Sequence, residues 1–86
     1  MTNVERAREL VAEQEAKMFA WKQDEAKKLV ERADVNVIDS ATRGRRYTDV
    51  GLNGYTDKQI IQLAVDEIIE AGYKVTNKGS FLTIEW

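Results

Sequence analysis

Arg43-Gly44-Arg45-Arg46-Tyr47 sets three guanidiniums around a glycine, directly before a tyrosine. Arginine offers planar, bidentate donors that fit a phosphate, and glycine lets a ligand approach the backbone. In an extended segment Tyr47 shares a face with Arg45, where a nucleobase can stack on its ring. The same residues also fit a plainer role. Arg43 then answers the negative end of a preceding helix, and Arg45 and Arg46 are solvated charges at a strand edge. Trp86 alternates with Leu82 and Ile84, which suits a core position or a second aromatic plate beside the arginines. The ligand-binding candidates are Arg43, Gly44, Arg45, Arg46, Tyr47 and Trp86.

Support for catalysis is thin. The chain has no His and no Cys, so it offers no imidazole base, no thiolate and no ordinary zinc or copper site. Asp34, Asn36 and Asp39 do not match a calcium loop, which needs a glycine at its sixth position and a closing glutamate. No glycine-rich phosphate loop or nucleophile elbow occurs. Asp66, Glu67 and Glu70 read as the solvated face of a helix. The expectation is a protein that is not an enzyme and takes no metal or cofactor.

The elements that must position the arginines can be read from periodicity. Thr2 and Glu5 have capping-box spacing, and no Gly or Pro interrupts the chain from there to Ala33. At 100° per residue Val4, Ala7, Leu10, Val11, Met18, Trp21 and Leu29 share one face, widened by Phe19, Ala26 and Val30. Gln14 and Glu25 fall on the same face, and a bend is allowed near Lys22-Gln23-Asp24. About 30 helical residues span roughly 45 Å, against roughly 30 Å for the diameter of a compact domain of this length. The helix must overhang its domain. Leu10, Val11, Met18 and Trp21 are the candidate homo-oligomer contacts.

Residues 34–43 read two ways. Val35-Asn36-Val37 alternates like a strand, whereas Asp34 is a good N-cap and Gly44 stands where a helix ends. A short second helix over 35–43 is the preferred reading. Arg45 to Leu52 follows as a strand with Thr48, Val50 and Leu52 on one side, and Asn53-Gly54 turns the chain. Thr56 with Gln59 starts a helix that buries Ile60, Ile61, Leu63, Ala64, Val65, Ile68 and Ile69 and ends at Gly72. Residues 73–76 and 81–86 form a hairpin. The fold expected is α+β: a long helix, a short second helix, then a β-α-β-β unit with a small antiparallel or mixed sheet and one helix packed on it. It is one domain over 1–86, with 1–33 as a helical arm and 34–86 as the compact part.

Charge narrows the partners. Residues 1–39 hold 7 basic and 9 acidic side chains, 40–58 hold 4 and 2, and 59–86 hold 2 and 4. The overall net charge is −2, which disfavours long nucleic acid and leaves a small, local anion site at the arginines. No apolar run approaches the ~20 residues of a membrane span. Thr2-Asn3-Val4-Glu5-Arg6 does not read as a secretory signal, so the expected place is the cytoplasm.

Ala41-Thr42-Arg43-Gly44, Gly72-Tyr73-Lys74-Val75 and Ile84-Glu85-Trp86 together resemble a broad group of very small tailed-bacteriophage proteins. The resemblance runs from Ile38 to Trp86 and lies in residues that mostly serve the fold. Phage sponge proteins are similar in size, architecture and ligand chemistry. The resemblance implies a small oligomer, acting in the host cytoplasm, that sequesters cyclic oligonucleotide signals of bacterial antiphage defence, such as cyclic GMP–AMP, without cleaving them. A small phage inhibitor of a host protein is the alternative, favoured by the acidic flanks. A third reading is single-stranded nucleic-acid binding on the sheet through Tyr47 and Phe81.

Overall fold

The computed structural model describes every residue from Met1 to Trp86. Helix α1 runs unbroken over Val4–Thr42, followed by β1 (Tyr47–Gly51), α2 (Lys58–Glu70), β2 (Lys74–Asn77) and β3 (Phe81–Glu85). The sheet has the order β1-β3-β2 and both its pairings are antiparallel. This is the expected α+β architecture, with the sheet now fixed as antiparallel.

The largest departure from the sequence reading is the continuity of α1. No bend interrupts it near Lys22-Gln23-Asp24, Asp34 is not an N-cap, and the expected short helix over 35–43 is the C-terminal end of a single 39-residue helix. Its buried residues are Ala26, Leu29, Ala33, Val37 and Ser40. Breaking the helix at Asp34 would take Val37 and Ser40 off that stripe. Burial therefore outweighs the small helical cost of β-branched Val35 and Val37. The stripe ends where the chain must turn toward β1. There the Arg45 amide donates to the Ser40 carbonyl at 3.0 Å and the Gly44 amide to Ala41 at 2.9 Å. That pattern needs a left-handed residue, and Gly44 supplies it with φ 79°.

Both helices cover the same face of the sheet. Thr48 and Val50 of β1, Leu52 just beyond it, and Leu82 and Ile84 of β3 are buried against α1 and against Ile60, Ala64 and Ile68 of α2. The expected packing of one helix on the sheet thus becomes two, with the C-terminal half of α1 over β1. As a result the compact part takes in Ala26, Leu29 and Ala33, within the stretch 1–33 read as arm. The true overhang is shorter. Every residue from Met1 to Trp21 is exposed, and the molecule measures 64 × 22 × 16 Å. No helix is long and apolar enough to cross a membrane.

Each helix is capped one residue later than its sequence suggests. Asn3, not Thr2, accepts from the Arg6 amide at 2.8 Å, and Asp57, not Thr56, accepts from the Gln59 and Ile60 amides. In both places two good cap residues are adjacent, and the stronger one wins. Asp57 also meets the Lys22 ammonium at 3.2 Å, and Lys22 donates to Gln59 as well. Lys22 therefore ties α1 to the start of α2 at the point where the overhang begins. The Gln59 amide first, then Lys22 and the Ile60 amide, hold the Asp57 carboxyl below its ordinary value of 3.8. A carboxylate with a lowered folded pKa contributes stability above its unfolded pKa and loses it as pH falls through the folded value. Asp57→Ala should therefore melt below the parent at about pH 7, and the gap should narrow toward about pH 2. Thermal unfolding at the two pH values reads this directly; an unchanged gap would remove the charge from the account.

Candidate functional site

The candidate arginines occupy the joint between α1 and β1, and the joint divides them. Arg43 caps α1 and its guanidinium lies 3.6 Å from Asp39, one helical turn back. Arg45 and Tyr47 line a polar groove of about 350 Å³ together with Asn36, Asp39, Ser40, Thr48 and Asp49. Arg46 lies opposite Trp86, whose amide donates to the Arg46 carbonyl at 2.9 Å. Trp86 continues the inward alternation of Leu82 and Ile84, and its ring meets Tyr73 edge-on at 6.1 Å. Tyr47 alternates with inward-facing Thr48 and Val50. The two aromatic candidates therefore sit on opposite faces of the sheet and cannot clamp one ligand between them.

Gly44 has a structural assignment that competes with its ligand role. The amides of Arg43, Gly44 and Arg45 all donate to carbonyls in the last turn of α1. None of the three is left open for a ligand oxygen, so any anion held here is held by side chains.

The electrostatics of the groove are nonetheless compatible with an anion. Arg45 and Arg46 take part in no ion pair, whereas both groove carboxylates are engaged: Asp39 by Arg43, and Asp49 by the Thr83 hydroxyl at 2.7 Å. The groove follows the free edge of β1, since β3 pairs only with its other side. Two α1 side chains reach across to that edge, with Arg32 donating to Gly51 O and Asn36 to Asp49 O, each at 3.3 Å. Arg32 also lies over the Tyr55 ring at 5.3 Å.

Asn36, Asp39, Ser40 and Asp49 were not legible as groove residues in the sequence. Their position depends on which face of a continuous α1 meets β1, and neither spacing nor composition carries that. The only available signal was the i, i+4 pair of Asp39 with Arg43.

The uncovered sheet face carries Tyr47, Asp49, Phe81, Thr83, Glu85, Lys74 and Thr76, with Tyr47 opposite Glu85 and Phe81 opposite Gly51. Tyr47 and Phe81 are thus separated by four strand positions, roughly 13 Å, with Asp49 and Glu85 among them. Such a surface makes a poor stacking platform for a polyanion. No group of three or more Asp and Glu side chains converges on a point.

The chain matches no protein-family model, no curated protein and no solved structure.

Proposed function

We propose that this protein acts by binding rather than by catalysis, sequestering a cyclic dinucleotide as a homo-oligomer assembled through the N-terminal half of α1. The observation that carries the ligand reading is the unengaged guanidinium of Arg45 in a groove that also exposes Tyr47, with unengaged Arg46 next to it in sequence. Arg45 takes one phosphate, Tyr47 stacks on a base, and Arg43 and Arg46 supply further positive potential. Gly44 sets the turn that leads from α1 into Arg45 and Tyr47. The phage setting and the cyclic GMP–AMP class of ligand come from the sequence resemblance.

Calorimetry with a panel of cyclic dinucleotides, a linear dinucleotide and a short oligonucleotide tests the reading. A cyclic dinucleotide should bind and be recovered intact after long incubation. Arg45→Ala should weaken it about ten- to a hundred-fold, the loss of one charged hydrogen-bonding contact. Absence of heat with every cyclic dinucleotide, or binding as tight as the parent's by both Arg45→Ala and Arg46→Ala, would overturn it. The second reading, a phage inhibitor that binds a host protein, draws on the exposed apolar side chains of the overhang.

A further inference from the structure

The five buried residues of α1 are spaced 26, 29, 33, 37 and 40, a cycle of three, four and four. Run backward, the same cycle gives Lys22, Met18, Glu15, Val11, Ala7 and Val4. An eleven-residue cycle corresponds to about 3.67 residues per turn, close to a straight helix, so one stripe runs the whole length of α1. Beyond Lys22 the stripe leaves the cover of α2 and the sheet. Met18, Val11 and Val4 are exposed there, flanked by Leu10 and Trp21 on one side and Phe19 on the other. Six large side chains, each about half exposed, leave on the order of 600 Å² of apolar surface, at the upper end of what an ordinary monomer shows.

We infer that a second copy of this chain covers that stripe, with the two overhangs packed antiparallel over residues 2–21. The inference rests on the oligomer part of the proposed function and is independent of the ligand. Two arms of this size together bury on the order of 1,200 Å², the lower bound for a stable specific interface.

Orientation follows from charge and from space. Within the overhang Glu15, a stripe position, and Arg8, beside the stripe, are the charges that face the partner, and both lie toward the Phe19 side. In an antiparallel pair like flanks meet, so Arg8 of each copy can oppose Glu15 of the other when paired positions sum to 23. The same sum pairs residue 2 with residue 21, which is full overlap up to the point where α2 begins to occupy the stripe at Lys22. Val4 then meets Phe19, and Val11 and Ala12 straddle the two-fold axis. A parallel pair would set Glu15 against Glu15 and bring two copies of α2 to the same end of the same stripe.

The absence of cysteine makes the test clean. The parent should scatter light as a dimer at tens of micromolar, with a largest dimension near 100 Å in solution scattering, from two 64 Å protomers overlapping by about 30 Å. Val11→Cys should form an intermolecular disulfide readily on mild oxidation. Val4→Cys should not, because its copies lie about 22 Å apart along the pair. A mixture of Val4→Cys and Phe19→Cys should cross-link. Efficient Val4→Cys homodimers would overturn the antiparallel arrangement alone. A monomeric parent would overturn both this inference and the oligomer, leaving the arm for a host protein. Calorimetry decides the ligand separately.

Discussion

Leu29→Ala is expected to destabilise the protein by about 3 kcal/mol and to lower its melting temperature by on the order of 15 °C. Leu29 is completely buried, one of the four largest side chains that are, together with Val50, Leu82 and Ile84. It lies under α2 and the sheet, so shortening it leaves a cavity that neighbouring β-strand residues cannot fill without distorting the ladder. A chain of this size also begins from a small margin, since thin cores sit at the low end of the usual stability range. Urea unfolding should show the midpoint falling while the slope is retained. A loss below about 1 kcal/mol would show that Leu29 is not under the core.

Val35→Pro is expected to cost about 3 kcal/mol or more, although the Val35 side chain is exposed. Its position decides the outcome. Were Asp34 an N-cap, residue 35 would be the first position of a new helix, where proline is well tolerated. In a continuous α1 the same proline removes an interior amide donor and presses its ring on the carbonyl four residues back. Val35→Ala is the control and should leave the melting temperature nearly unchanged. Equal stability of the proline and alanine variants would mean that the helix restarts at Asp34.

That comparison shows where the sequence was legible and where it was not. Local chemistry marked the ends of elements well. Gly44 and Gly72 close their helices with φ 79° and 101°, and the inward set Thr48, Val50, Leu52, Leu82 and Ile84 follows from simple alternation. The helix through Asp34-Val35-Asn36-Val37 was harder, because its local preferences favour a cap and a strand. Only the contacts of Ala33, Val37 and Ser40 with other elements decide in favour of helix, and those contacts are not local. The candidate site shows the same division. The sequence could group Arg45 with Tyr47 by strand parity, but placed Trp86 with them because chain proximity across a sheet says nothing about which face a ring occupies.

The tie between Lys22 and the start of α2 also divides α1 into two thermodynamic regimes. C-terminal to it the backbone amides are protected by the packed core, so they should exchange with deuterium only when the whole domain opens. N-terminal to it the helix is extended by propagation from an already formed segment. Each further turn is worth little by itself, so an uncovered arm frays inward from Asn3. Slow exchange over residues 5–20 would therefore report that the stripe is covered, and its dependence on protein concentration would report by what. Where a second copy is the cover, ordering of the arm and association form a single equilibrium, in which the fraction of arms already helical sets the apparent affinity between copies.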